Sequence, residues 1–359
     1  MGEQFCSGRS RNYDFLRVVC TVAVILIHVS SSYKNAYTDI SAFGRLYTDN
    51  LLMTCIYNVV PRFAVPCFIM LSGAFILADD RNVEYRSFWH KKMQKTGIPA
   101  LLFSCGYFLW NMFTVLYGGG TEAEIKRLLK QFIFGDSYFH MWYMYMLAGL
   151  YFLTPFLVLI RIHSKKKDFE KIVCVFLIWA SLSAWTSRHL LTWDLGRAFF
   201  YTGYFMTGYI IREKTKERQN NRQGICLILC GVIIELMTAY VQYVHILRGI
   251  AEQDEVYGLI SPETPWILCA SVLIFCGFSI LNMKINFERI SSYTFYIYLF
   301  HGGVWNIIVR RIMKRCHPDS NLAIPCCVAA VFLISYIFTG FYKKCVEKVK
   351  KGIFSWRLF

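Results

Sequence analysis

Charge is scarce along this chain, and acid is scarcest. Asp, Glu, Lys and Arg make up 17% of its 359 residues, with 23 acidic side chains against 39 basic ones. Soluble domains carry roughly 25% charged residues, so the deficit argues against one. The charges that are present gather in short clusters between long apolar stretches, the pattern of a polytopic membrane protein. The net charge of +16 is therefore read as topology. A nucleic-acid surface would interleave basic residues with exposed aromatics on a soluble fold, and no nucleic-acid partner is expected.

Other absences narrow the field further. No CxxC pair occurs among the 14 cysteines, which removes zinc ribbons and thioredoxin-type chemistry. Most cysteines lie inside apolar runs, where the thiol behaves as a small hydrophobe, so a disulfide scaffold is not expected. Cys316 beside His317 has no further ligands in view, and no metal site is expected. No A-x-A cleavage site follows the first apolar run, where residues 30–33 are Ser-Ser-Ser-Tyr. That run therefore reads as a retained helix and not a signal peptide. Internal repeats and low-complexity segments are missing as well.

What is there is a series of ten apolar segments, at 13–32, 52–77, 97–117, 140–160, 171–187, 196–211, 224–244, 264–283, 291–309 and 322–342. Each is near the length that crosses ~30 Å of hydrocarbon at 1.5 Å per residue. With the N-terminus placed in the cytoplasm, the stretches 81–95, 161–171 and 212–222 fall inside with five Lys/Arg each. Inside then outweighs outside by about two to one, and only the basic cluster at 310–319 falls on the other side. The expectation is an all-α polytopic membrane bundle of about ten transmembrane helices with both termini cytoplasmic. It is a single domain over residues 1–359 without an appended soluble domain. The loop at 245–263 is acidic and faces outward. Thr121 with Glu124 three residues on forms a capping box that opens a short amphipathic helix over 121–134.

The first segment carries polar residues in helical register. Arg17 and His28 are eleven positions apart, about three turns, so they share a face roughly 16 Å apart along the axis. Asp14 stands at i−3 to Arg17 and can neutralise it. Ser31 and Ser32 place hydroxyls one turn beyond His28. Such a stripe should face a cavity or partner helices, since exposing it to lipid is costly. Either residue alone is equally well read as a snorkelling Arg or a satisfied core His; the register of four favours a site. Later in the chain, His301 follows Tyr298 by three residues on one face. Arg62 lies between Pro61 and Pro66, where a broken helix can line a cavity. Trp142, beside His140, opens a helix at an interface, where an aromatic belt explains it nearly as well as a substrate platform.

These residues resemble the acyltransferase-3 family of membrane acyltransferases. Arg17 and His28 match its R-x10-H signature. "PCFIMLSGAFIL" at 66–77 is similar to its Phe-rich run into Ser-Gly, and "FWHKKMQKTGIPALLF" at 88–103 to its basic loop leading to Pro. "HMWYMYMLAGLYFLTPFL" at 140–157 and "SSYTFYIYLFH" at 291–301 resemble its Trp-containing helix and its late Tyr/His helix. The resemblance implies transfer of an acyl group, expected to be acetyl, from cytoplasmic acyl-CoA to a hydroxyl of a cell-surface carbohydrate or related acceptor. By that likeness His28 is the catalytic histidine and Arg17 orients the donor. One departure is that Lys92 and Lys95 stand where the family commonly has R-x-x-R; Lys grips phosphate as a point charge, without the bidentate fork of Arg.

Acyl transfer to an alcohol needs a base for the hydroxyl proton, and neutral imidazole serves well. Asp14, Lys91, Lys92 and Lys95 are candidates on the acyl-donor side. Ser31, Ser32, Arg62, Trp142, Tyr298 and His301 are candidates for the acceptor or the oxyanion. A covalent acyl-histidine remains open. Acyl-CoA enters as co-substrate, with no permanently bound cofactor, and the expected location is a bacterial cytoplasmic membrane, with lipid and a glycan as partners. The rival reading is a secondary transporter with an intramembrane Arg/His site, for which Pro61, Pro66 and Gly73 would mark a discontinuous helix. No inverted repeat supports it.

Overall fold

The computed structural model describes residues 11–38, 50–134, 137–186, 194–248, 258–309 and 320–356, with side chains for 11–31, 50–134, 137–182, 198–248, 258–307 and 321–348. The basic cluster at 310–319, including Cys316 and His317, and the acidic residues at 252–255 lie outside the described residues. Among those described the chain is helical throughout, with no strand. Each of the ten apolar segments overlaps a helix. Among the described residues, six helical segments are long and apolar enough to cross a membrane: Arg11–Ser31, Leu51–Ile76, Tyr85–Tyr117, Trp142–His163, Asn221–Leu247 and Asn321–Lys348; Pro265–Ile280 is apolar but shorter. Their outward faces suit hydrocarbon. Leu101, Leu102, Leu109, Phe113 and Leu116 are all exposed, an arrangement costly in water and harmless in lipid.

The chain divides into two compact units. The first joins Met1–Pro61 to Met283–Phe359, and the second is Arg62–Asn282. In the first unit, helix α1 (Arg11–Thr38) lies beside a late segment that the sequence presents as one span. That segment is broken into α12 (Glu288–Ser291), α13 (Thr294–Val304) and a π-turn at Trp305–Val309. At the break the Thr294 hydroxyl donates to the Ser291 carbonyl at 2.8 Å. Helix α14 (Ser320–Trp356) packs antiparallel to α13, pairing Phe338 with Phe300 and Tyr342 with Tyr296.

The second unit follows α2 (Leu51–Val59), which belongs to the first, across a 3₁₀ turn at Val60–Phe63. It then runs through α3 (Ala64–Ile76), α4 (Tyr85–Lys92), α5 (Ile98–Tyr117), α6 (Glu122–Phe134), α7 (Trp142–His163), α8 (Lys166–Thr186), α9 (Asp194–Thr215), α10 (Asn221–Leu247) and α11 (Pro265–Ile280). A π-turn at Met93–Gly97 joins α4 to α5. The basic stretches 81–95, 161–171 and 212–222 gather at one end of this unit. Arg161 pairs with Asp80, Arg212 donates to the Ala74 carbonyl at 2.9 Å, and Lys214 meets Glu170 at 3.0 Å. That clustering is what the positive-inside pattern requires of one membrane face. The capping box at α6 forms as the spacing predicts: the Thr121 amide donates to Glu124 Oε2 at 2.8 Å and the Glu124 amide to Thr121 Oγ1 at 3.3 Å. These bonds from Thr121 hold the Glu124 carboxyl below its ordinary pKa.

Close helix contact in this unit depends on two glycines. A methyl group at Gly73 on α3 would overlap the Phe205 carbonyl of α9, and one at Gly208 on α9 would overlap the Met70 carbonyl of α3. Small residues of this kind let membrane helices approach backbone to backbone. Gly208→Ala is therefore expected to lower the melting temperature of the purified protein, at an overpacking cost of about 1–3 kcal/mol. Gly106→Ala, where an added methyl meets nothing within 4 Å, should leave it unchanged or slightly raised. Equal melting temperatures for Gly208→Ala and wild type would contradict this packing.

Candidate functional site

The site in the first unit is built on α1 from its base upward. At the base, Asn12 Oδ1 accepts from the Met283 amide at 3.1 Å, Arg11 donates to the Lys284 carbonyl at 3.1 Å, and Phe15 packs on Phe287 with centroids 4.8 Å apart. One turn up, the buried Asp14 carboxylate receives Arg17 Nη1 at 2.9 Å and Ser291 Oγ at 2.6 Å. Asp14 is 3% exposed and Arg17 28%, so the pair joins a buried anion to a cation at the edge of the packing. Thr21 Oγ1, one turn further, donates to the Arg17 carbonyl at 2.8 Å.

About three turns above Arg17, the same two segments meet again. The rings of His28 and His301 face each other at 5.3 Å with planes 31° apart. Because contact at the base is Asp14 with Ser291 and contact above is His28 with His301, α1 and α13 run parallel between them. His301 is buried, and its Nδ1 lies 2.5 Å from the Tyr298 carbonyl oxygen. A carbonyl only accepts, so Nδ1 carries the proton and the lone pair of the neutral ring sits on Nε2. The Tyr298 ring is 5.4 Å away. His28 is half-buried, which leaves it room to meet another molecule. The π-turn at Trp305–Val309 begins four residues after His301, and π-turns of this sort recur at functional sites.

The serines behave differently from their sequence reading. Ser31 Oγ donates to the Ile27 carbonyl at 2.6 Å and receives Asn58 Nδ2 at 2.9 Å, so its proton is already committed within α1. Asn58, on α2, also reaches Ser30 Oγ at 3.2 Å and braces α1 beside His28. The sequence offered a signal for it, a carboxamide inside an apolar run. The side chain of Ser32 lies outside the described residues.

The remaining candidates belong to the second unit. Lys92 is half-buried with its ammonium 4.9 Å from the Tyr151 ring centroid and 5.5 Å from that of Phe88, within cation–π range. Lys91 and Lys95 are exposed, Lys95 on the π-turn. Trp142 starts a row of rings, 6.2 Å from Tyr201, which lies 6.3 Å from Tyr204. Arg62 occupies the 3₁₀ turn, so the helix is interrupted where Pro61 and Pro66 suggest. There its charge acts on Glu235 of α10, a residue the sequence reading passed over although it is a lone acid in an apolar run. At the basic end, Arg161, Ser164, Phe169, Glu170, Tyr209 and Glu213 line a cavity of about 270 Å³, with Arg161 lying 5.4 Å over the Tyr209 ring. Among the described residues, no group of three or more His, Cys, Asp or Glu is placed to hold a metal ion.

A model of a protein family, described as an acyltransferase domain, matches residues 10–340. No curated protein and no solved structure matches.

The Asp14 geometry makes a direct prediction. Asp14→Ala removes the acceptor of the buried Ser291 hydroxyl and an ion-pair partner of Arg17, at a cost of about 1–3 kcal/mol. The double variant Asp14→Ala/Arg17→Met should recover part of that loss, because the cation is then gone as well. Melting temperatures of the two purified variants check this, and an Asp14→Ala protein as stable as wild type would contradict it.

Proposed function

This chain belongs to the acyltransferase-3 family, and on that premise we propose that it moves an acetyl group from cytoplasmic acyl-CoA to a hydroxyl of a cell-surface carbohydrate or related acceptor, in the cytoplasmic membrane of a bacterium. The observation that carries the proposal is the facing pair of His28 and His301 on parallel helices, with Arg17 about three turns below.

In this reading His28 is the base. Its neutral ring takes the acceptor's hydroxyl proton as the oxygen attacks the thioester carbonyl carbon. The tetrahedral oxyanion then collapses, the carbon–sulfur bond breaks, and the departing thiolate takes the proton from the His28 imidazolium. The ester and free CoA leave, and the ring is neutral again. Base catalysis of this kind is worth ~10²–10⁴-fold. His301, its Nδ1 proton held by the Tyr298 carbonyl, presents its Nε2 lone pair as an acceptor that positions the incoming hydroxyl. For the oxyanion, Tyr298 is favoured over Ser31, whose proton is committed to Ile27.

The donor reading uses the cations. Arg17, held by Asp14, orients the donor arm, while Lys91 and Lys95 are exposed and available to the phosphates and Lys92 lies over the Tyr151 and Phe88 rings. His28 lies about 22 Å above residue 13 along α1, so a long pantetheine arm is the part of acyl-CoA suited to reach it. Trp142 and Arg62 support the acceptor.

Purified protein given labelled acetyl-CoA and mixed saccharide acceptors should form labelled ester. His28→Ala should lower kcat by ~10²-fold or more, while Lys92→Gln/Lys95→Gln should raise the KM for acetyl-CoA. Undiminished transfer by His28→Ala would refute the base assignment. Substrate uptake without acylation would favour the transporter.

A further inference from the structure

The interior of the second unit holds polar groups that its own atoms do not answer. Glu235 and Gln242 lie seven residues apart on α10, about two turns, and therefore on one face, with Thr238 between them. Glu235 and Gln242 are fully buried, as is Ser271 on the neighbouring α11. Among the described residues, neither carboxylate oxygen of Glu235, neither amide atom of Gln242, nor the hydroxyl of Ser271 has a hydrogen-bond partner. The Arg62 guanidinium and the Phe63 backbone amide act electrostatically on the Glu235 carboxyl. The Ser271 carbonyl is engaged, receiving Cys67 Sγ at 3.7 Å, but its side chain is not.

Unanswered polar atoms are expensive inside a protein, and more so where the surroundings are hydrocarbon. Leucine at 235 and 242 would cost nothing in a helix like this one. A structural pair between Arg62 and Glu235 would account for one residue and leave Gln242 and Ser271 unexplained. A metal cation is disfavoured by a single carboxylate with a guanidinium acting on it. An anion is disfavoured by the carboxylate. A neutral ligand rich in hydroxyls meets every group: carboxylate oxygens accept from hydroxyls, while the carboxamide and the serine hydroxyl both donate and accept. The two α10 residues are about 10 Å apart along the axis, the reach of a short saccharide. An aromatic row runs toward the same place, for Tyr204, the last ring after Trp142 and Tyr201, lies within electrostatic range of Glu235 and Cys67. Its hydroxyl donates to the Pro262 carbonyl at 2.6 Å, which fixes the ring.

We propose that Glu235, Gln242 and Ser271, with Arg62, bind the hydroxyl groups of the carbohydrate acceptor, an assignment that rests on the acyl-transfer reading above. Carboxylate and carboxamide fix which hydroxyls are recognised, and the Trp142–Tyr201–Tyr204 row supplies the apolar wall against which a sugar ring lies.

The test uses the full-length protein in lipid nanodiscs and a defined panel: glucose, galactose, N-acetylglucosamine, cellobiose, lactose and chitobiose. At least one sugar is expected to raise the melting temperature saturably. Glu235→Gln and Gln242→Leu should each raise its half-saturating concentration tenfold or more, and Ser271→Ala severalfold. Gln242→Leu keeps size and favours the helix, so it decides the matter if Glu235→Gln fails to fold. The proposal is overturned if no sugar in the panel binds saturably. It is overturned equally if the variants melt earlier while half-saturation stays within twofold, which is what a structural role gives. Sugar bound through Glu235 without any acetyl transfer would contradict the transfer reading and leave this site standing. Transfer dependent on His28 with an unchanged acceptor KM in Gln242→Leu would do the reverse.

Discussion

A buried carboxylate has to be answered by donors, and those that answer Asp14 include the guanidinium one turn above it and the hydroxyl of Ser291, 277 positions along the chain. That one buried anion sets the register of two helices. Once Asp14 and Ser291 are joined, parallel helices carry His28 and His301 to the same height, and their rings meet. Slide α12 and α13 together by a turn and the serine leaves the carboxylate as the imidazole leaves its partner. The polar stripe on α1 is in this sense a single device. Its lower part locks the register, and its upper part holds the His28 ring against that of His301.

The rest of the interior follows the same rule, that polarity in an apolar environment must be paired or used. Asn58 spends its amide on the serines beside His28. His301 spends Nδ1 on a backbone carbonyl, which fixes its tautomer. Lys92 finds aromatic faces. Glu235, Gln242 and Ser271 find no hydrogen-bond partner among the described residues, and that contrast is what the proposal of a ligand rests on. Membership of the acyltransferase-3 family says what class of reaction the chain belongs to.

The helices were legible in the sequence because apolar runs and their breakers are local. Arg62 illustrates this, since Pro61 and Pro66 mark the interruption that the 3₁₀ turn provides. The stripe of Asp14, Arg17 and His28 was legible for the same reason, as helical period is a property of one segment. The facing histidines were not, because nothing in either segment reveals that residues 28 and 301 meet. Ser31 read as a free hydroxyl because its capture by the Ile27 carbonyl and Asn58 depends on rotamer and neighbour. The late span read as continuous, and its break at Ser292–Tyr293 lies in a run with neither Gly nor Pro to mark it. Glu235 and Gln242 stood in plain sight within an apolar run; what hid them was the lack of a local partner, which is the property that marks them.

The account turns on the two imidazoles acting together, and a double-mutant cycle on acetyl transfer tests that most directly. If His28 takes the proton of a hydroxyl that His301 positions, then His28→Gln/His301→Gln should lose little more in kcat than His28→Gln alone, because residues that act as a unit are strongly non-additive. Losses from the two single variants that multiply in full in the double variant would contradict it, since each ring would then be working without the other.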